Sequence, residues 1–248
     1  MRIRAKHLTK KQVIIISILE LILLMAAVYC IFNMGSAKRA EEQSAEAAAA
    51  AELQERRADL GRWNLILVNR WSRIPEGHEV VTADIESGYS IDERVKDSLE
   101  AMLADCRAAG CDPVICSAFR SHELQQQLYD REAQPYLDQG MDEEEAYEKA
   151  GESVAVPGTS EHECGLALDI IDADYQVLDD AQEETDTQKW LMEHCQDYGF
   201  ILRYPNDKKD ITGIIYEPWH YRYVGENHAK YIMSRGICLE EYIAEITP

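Results

Sequence analysis

SEHECGLALDI at residues 160–170 and YEPWHYRYV at residues 216–224 are the two segments that say most about how this 248-residue chain folds. The first continues into LALDII and the second contains HYRYV, and both apolar runs are typical of buried β-strands. The two segments carry His162, Asp169, Glu217 and His220. We therefore expect two strands to bring two imidazoles and two carboxylates together.

This set of side chains predicts a zinc site. In hydrolases zinc typically takes three His, Asp or Glu ligands and keeps a fourth position for water. His162, Asp169 and His220 fit that count, and Gly165 allows a tight turn between the first two because it has no Cβ. A bound ion would join two distant parts of the sheet and stabilise the fold. Glu217 then remains free to act as a base toward an attacking water.

The spacing within EPWH predicts a local irregularity. In a flat strand Glu217 and His220 would point to opposite faces, so Pro218 must introduce a turn or bulge that redirects one of them. Trp219 between them is either a core side chain or a wall of the site that lowers the local dielectric constant.

The rest of the pattern predicts an α+β fold with a mainly antiparallel sheet flanked by helices. Helices are expected after the capping residues Asp92, Ser121 and Asp142, and from about residue 186 to a stop at Gly199. Strands are expected at NLILVNR, PVICS, LALDII, FILRY, GIIY and HYRYV. The order of these elements is irregular, and a glycine-rich phosphate-binding loop is absent from the sequence.

Three motifs resemble those of the VanY-type D-alanyl-D-alanine carboxypeptidases: SAFRS at 117–121, SxHxxGxAxD in SEHECGLALD, and ExWHxR in EPWHYR. The resemblance covers about residues 63–244 and implies the α+β fold shared by hedgehog-type proteins and D,D-peptidases. It also implies one zinc ion per chain, held by His162, Asp169 and His220, with Glu217 as general base and Arg120 facing the substrate.

Two residues depart from the commonest family pattern. Phe119 stands where a tyrosine is frequent, and it keeps the ring but not the hydroxyl. Cys164 lies between the two proximal ligands, where we interpret it as a small apolar filler rather than a competing ligand.

The resemblance also assigns residues to the substrate. The Arg120 guanidinium can bind the terminal carboxylate of a peptide or stabilise the oxyanion at the scissile carbonyl, and the sequence leaves both roles open. Ser117, Gln125 and Ser160 match family positions near the substrate, although each also has an interpretation as a turn or helix-cap residue. Trp219 is placed with this substrate-binding group.

The implied activity is zinc-dependent hydrolysis of the C-terminal D-Ala from peptidoglycan stem peptides or lipid-linked precursors. The alternatives are a D,D-dipeptidase, a peptidoglycan endopeptidase, or a non-catalytic zinc-stabilised module that binds the cell wall. Glu217 argues against the last, because a structural zinc site has no need of a free base.

The N-terminal region predicts a membrane anchor. Residues 13–34 (VIIISILELILLMAAVYCIFNM) are long and apolar enough for a transmembrane signal-anchor helix, and basic residues in 1–12 predict a cytoplasmic N-terminus. Cleavage near Gly35 and Ala37 is the alternative. Residues 35–60 would be a helical or disordered spacer, and 61–248 an extracytoplasmic catalytic domain at the bacterial cell membrane.

Charge and cysteine content narrow the interpretation further. A net charge of −21 argues against a nucleic-acid partner. The seven cysteines lack the spacing of a zinc ribbon or redox motif. Cys106, Cys111 and Cys116 could form a disulfide outside the cytoplasm, or all could be free buried thiols.

Overall fold

The structure, a computed structural model, describes residues 10–248. The chain divides between Glu55 and Arg56 into two compact units. Among the described residues, the first unit consists of the greater part of one long helix, α1 (Lys10–Ala58). Most of the basic segment predicted to be cytoplasmic, residues 1–9, lies outside the described residues.

The prediction of a single-pass membrane protein with an extracytoplasmic domain was wrong. No helix among the described residues is long and apolar enough to cross a bilayer. A membrane-spanning helix needs about 20 consecutive, predominantly apolar residues. Residues 13–34 lie within α1, which continues without a break through the Ala- and Glu-rich segment that follows.

A four-stranded antiparallel sheet forms the centre of the second unit and confirms the predicted α+β class. Its strand order is β3-β4-β6-β5, and each neighbouring pair is antiparallel. A two-stranded antiparallel sheet, β1-β2, precedes it. The strands are β1 (Thr82–Asp84), β2 (Ser90–Asp92), β3 (Pro113–Ser117), β4 (Ala167–Asp172), β5 (Phe200–Leu202) and β6 (His220–Tyr223).

Seven helices of the second unit surround these strands. They are α2 (Lys96–Ala108), α3 (His122–Asp138), α4 (Glu143–Ala150), α5 (Asp186–His194), α6 (Lys209–Thr212), α7 (Glu226–Arg235) and α8 (Leu239–Ile246). Two predicted caps are confirmed: Ser121 accepts a hydrogen bond from the Leu124 amide, and Asp142 from the Glu145 amide. Asp92 instead ends β2, and its carboxylate accepts bonds from Arg94.

Two of the predicted strands do not form. NLILVNR begins with a 3₁₀ turn at Trp63–Leu65, and GIIY is irregular. In the first segment, the Asn64 and Ile66 carbonyls accept hydrogen bonds from the Arg222 guanidinium, so side-chain donors replace a neighbouring strand. Its apolar residues Leu65 and Val68 are nevertheless buried, which accounts for the strand-like pattern.

The sheet has one apolar face, against which α2 packs. The buried α2 side chains belong to the same apolar cluster as those of β3 and β4; they are Leu99, Met102, Leu103 and Cys106 on the helix, and Ile115, Leu168 and Ile170 on the strands. Because side chains alternate along a strand, Asp169 points away from this core. Six of the cysteines, Cys106, Cys111, Cys116, Cys164, Cys195 and Cys238, are free thiols.

Candidate active site

The register of the sheet places three polar residues in one row across three strands. Ser117 of β3 lies opposite Asp169 of β4, and Asp169 lies opposite His220 of β6. Directly opposed residues in antiparallel strands have side chains on the same face. The sheet itself therefore brings together residues that are far apart in the sequence.

His162 reaches this row from a short 3₁₀ helix, Glu161–Cys164. The helix ends at Gly165, which has a left-handed backbone conformation (φ +67°), and β4 begins two residues later. A Cβ at Gly165 would lie 2.7 Å from Cγ1 of Val80 and 3.0 Å from the Asp92 amide nitrogen. The turn between His162 and Asp169 therefore needs glycine for both its conformation and its close packing.

His162, Asp169 and His220 form a compact group that fits zinc. Their donor atoms all lie within 4.8 Å of one another. Asp169 Oδ1 lies 3.4 Å from His162 Nε2 and 3.2 Å from His220 Nδ1. Ligands at 2.0–2.1 Å from a tetrahedral zinc ion are about 3.3 Å apart, so both distances suit that geometry.

Hydrogen bonding around this group supports the same conclusion. Asp169 Oδ1 is buried and has no hydrogen-bond partner within the described part of the chain. His162 Nδ1 donates to the Ala118 carbonyl at 2.7 Å, and this leaves Nε2 as the lone-pair nitrogen that faces the site. A buried acceptor without a donor, between two imidazoles, is the chemistry expected for a metal site.

The electrostatics of the triad favour one positive charge shared by His162, Asp169 and His220. Burial, followed by the charge of Arg120, lowers the pKa of His162 to about 4. Burial opposes ionisation of Asp169, but the neighbouring histidines and Arg120 outweigh it and hold its pKa well below the usual value. Burial also opposes charge on His220, yet the neighbouring carboxylates of Asp169 and Glu161 raise its pKa to about 9. A metal ion could replace the proton on His220.

Glu217 lies beside the triad without belonging to it. Its Oε2 is 3.5 Å from His220 Nδ1, and the residue is 6% exposed. The predicted redirection at Pro218 is confirmed, because the His220 amide donates to the Glu217 carbonyl across a turn. Burial raises the pKa of the Glu217 carboxyl to about 8, and the charges of Asp169 and Glu132 act in the same direction.

Arg120 is held in place by three side chains. Its guanidinium donates to Ser117 Oγ at 2.9 Å, Gln125 Oε1 at 3.3 Å and Asp169 Oδ2 at 2.9 Å. Gln125 is fully buried and also donates to the Ala155 carbonyl. The contacts of Ser117 and Gln125 are thus with Arg120, and their predicted contact with substrate stays a prediction.

A cleft of about 370 Å³ opens onto these groups. Ser160 and Trp219 line it together with the triad, and their predicted contact with substrate stays a prediction. Its outer wall comes from α3 and the segment after α4, with Leu128, Arg131, Glu132, Ser153, Val154 and Ala155. Tyr204, which the sequence analysis did not single out, also lines the cleft, and its ring centroid lies 4.7 Å from that of His220.

The sequence analysis also missed a buried ionic network behind His220. Glu161 Oε1 lies 2.7 Å from Arg203 Nε and 2.7 Å from Arg222 Nη1, and all three side chains are fully buried. Arg203 also makes a two-pronged contact with Glu240, at 2.6 and 2.9 Å. Glu161 occupies a variable position of the motif, and its partners come from distant segments, so no local pattern indicates the network. Cys164 is buried in the apolar core, as predicted.

Comparison with known proteins identifies the family. The model of the VanY family, described as D-alanyl-D-alanine carboxypeptidase, matches residues 88–226, which include the triad, Arg120 and Glu217. This chain belongs to the VanY family. A D-alanyl-D-alanine carboxypeptidase of Enterococcus faecalis is 42% identical over 185 residues, covering 75% of this chain and 67% of the relative.

Solved VanY structures share the fold. VanYB in complex with D-alanine-D-alanine is 41% identical, with a TM-score of 0.68, and the match covers 74% of this chain and 98% of VanYB. A variant of the vancomycin resistance D,D-pentapeptidase VanY in complex with Zn(II) is also 41% identical, with a TM-score of 0.67, and the match covers 73% of this chain and 99% of that structure. Family membership and the His/Asp/His group together identify a zinc metallopeptidase.

Proposed function

We propose that this protein hydrolyses the bond to the C-terminal D-Ala of peptidoglycan stem peptides or their precursors. The observation that carries the proposal is the partnerless Asp169 Oδ1 between two imidazoles, next to the buried carboxylate of Glu217. The D-alanine-D-alanine bound to VanYB supports the choice of substrate, and the Zn(II) bound to the VanY D,D-pentapeptidase variant supports the choice of metal.

His162 Nε2, Asp169 Oδ1 and His220 Nδ1 would hold the zinc ion. When bound, zinc polarises the scissile carbonyl and lowers the pKa of a coordinated water toward neutrality. His162 keeps its orientation through the Ala118 carbonyl, and His220 is backed by the Glu161 carboxylate. Such outer contacts fix which imidazole nitrogen is available to the metal.

Glu217 is proposed as the general base and acid. Its carboxylate takes a proton from the attacking water, and the resulting carboxylic acid gives that proton to the nitrogen of the departing D-Ala. A carboxyl whose pKa is raised toward neutrality by burial suits both steps. Because Glu217 carries the proton, His162, Asp169 and His220 would remain available to the metal throughout the reaction.

Arg120 is proposed to bind the substrate, either at its terminal carboxylate or at the developing oxyanion. Ser117 and Gln125 fix the guanidinium, so the N–H groups that are not used in these contacts point in a defined direction. Ser160 and Trp219 are proposed to contact the peptide along the cleft wall. Residues 61–248 are proposed as the catalytic domain, which is consistent with the compact second unit, Arg56–Pro248.

Mass spectrometry of a pentapeptide ending in D-Ala-D-Ala tests the proposal. With zinc-loaded protein we expect loss of one alanine residue. Cleavage of the free dipeptide D-Ala-D-Ala would identify a dipeptidase, and cleavage of cross-linked peptides an endopeptidase. A protein that binds zinc but cleaves none of these would be a binding module, and the proposal would be wrong.

A further inference from the structure

One face of α3 forms the outer wall of the cleft. Gln125, Leu128 and Glu132 are spaced by three and four residues, so they lie along the same side of the helix. Gln125 holds Arg120 at one end, whereas Leu128 and Glu132 line the cleft farther out. Because a helix rises 1.5 Å per residue, Glu132 lies about 10 Å beyond Gln125 along the helix axis.

The Glu132 carboxylate has spare capacity to accept hydrogen bonds. The Ser153 hydroxyl donates to its Oε1 at 2.8 Å and thereby orients the group. No lysine, arginine or histidine of the described chain forms an ion pair with it, although many other acidic side chains are paired. A half-buried carboxylate that lines a cleft and has no ion-pair partner among the described residues favours a positively charged ligand.

The separation along α3 between Gln125, which contacts Arg120, and Glu132 suits a particular residue of the substrate. An extended peptide spans about 3.3–3.6 Å per residue. If the terminal D-Ala lies at Arg120, the residue two positions earlier is about 7 Å away, and a long side chain can cover the remaining distance.

From these contacts we infer that Glu132 is a specificity residue that binds the side-chain ammonium of the residue two positions before the terminal D-Ala. The inference rests on the proposed function and narrows it to peptides with a diamino residue at that position. Arg131, next to Glu132 on the cleft wall, would add affinity where that side chain also carries a carboxylate.

Two peptides that differ only in the free or acetylated side-chain amine at this position test the inference. With zinc-loaded full-length protein, Glu132→Gln should lower kcat/KM about tenfold for the free amine, as expected for the loss of a charged hydrogen bond. The acetylated peptide should change much less, because it loses only the influence of the Glu132 charge on Glu217. Glu148→Gln, at an exposed site on α4, is the matched control and should change neither value.

A purely structural role for Glu132 would affect both peptides equally, and this result would overturn the inference. Equal kcat/KM for the two peptides with the unaltered protein would overturn it as well, while leaving the proposed function in place. Release of D-Ala from neither peptide would instead refute the proposed function and this inference with it. Arg131→Ala should lower kcat/KM only when the side chain bears both an amine and a carboxylate.

Discussion

Glu161 and His220 face each other at 3.7 Å, carboxylate Oε2 to imidazole Nε2. Both atoms are buried, and within the described residues neither has a hydrogen-bond partner. The charges of Arg203 and Arg222 outweigh burial and hold the pKa of Glu161 far below its usual value, so the carboxylate stays ionised. A small movement of His220 would let its Nε2–H bond Oε2 and leave Nδ1 free for the metal.

Glu161→Gln should weaken zinc binding roughly 10- to 100-fold, the usual effect of altering a carboxylate that supports a metal-binding histidine. Competition with a chromogenic chelator measures the affinity. Glu240→Gln is the matched control, because it also removes a carboxylate partner of Arg203 but does not face His220. Equal zinc affinity in the two variants would contradict a positioning role for Glu161.

Glu217→Ala should retain zinc while losing about 10²- to 10⁴-fold in kcat, because only proton transfer is removed. Metal analysis of the purified variant and the rate of D-Ala release check the two parts separately. Loss of zinc together with activity would mean that Glu217 belongs to the metal site rather than acting as a base.

Arg120→Lys should lower kcat/KM, because a lysine cannot contact Ser117, Gln125 and Asp169 with one rigid group. A substrate with an amidated C-terminus separates the two proposed roles. If Arg120 binds the terminal carboxylate, kcat/KM for the amidated substrate should already be low with the original protein and should fall little further in the variant. If Arg120 stabilises the oxyanion, both substrates should lose kcat by a similar factor.

Gly165→Ala should destabilise the protein more than Gly140→Ala does. Both glycines have positive φ, which costs a non-glycine residue about 1–2 kcal/mol. A Cβ at Gly165 also collides with Val80 and Asp92, whereas Gly140 has nothing within 4 Å. Overpacking of this kind adds roughly 1–3 kcal/mol, measurable by urea denaturation of the metal-free protein. An equal decrease in the free energy of unfolding for the two variants would show that the turn at Gly165 can shift to accommodate the added methyl group.

The Arg203–Glu240 pair predicts a pH dependence of stability. Burial opposes ionisation of Glu240, but the charge and hydrogen bonds of Arg203 outweigh it and lower the pKa from its ordinary 4.5. The unfolded chain therefore binds the proton more tightly, so the stabilisation is complete above about pH 4.5 and is lost as the pH falls below it.

Glu240→Gln should accordingly lower the free energy of unfolding by roughly 1–3 kcal/mol at pH 7 and by less at acidic pH. Glu245→Gln, an exposed site on the same helix, is the control and should leave the pH profile unchanged. A Glu240→Gln deficit that is the same at pH 7 and pH 4 would contradict the assigned pKa shift.

Local patterns in the sequence were sufficient for much of the fold. Short apolar runs indicated β3, β4 and β6, and Ser121 and Asp142 marked the starts of two helices. The same patterns misassigned NLILVNR as a strand, because burial by packing resembles burial in a sheet. They also predicted a separate transmembrane helix at 13–34. In the structure these residues belong to the longer helix α1, and no helix among the described residues meets the requirements for a membrane span.

The sequence by itself determined the chemical types of the site: two imidazoles and two carboxylates, with a glycine between the first pair. Only the tertiary structure decided their arrangement, because the register of β3, β4 and β6 sets which residues lie opposite one another. The tertiary structure alone also revealed Glu161 with its two arginines, and Glu132 on the cleft wall. Such contacts join distant segments, and a long-range ion pair or cleft has no periodicity along the chain from which it could be predicted.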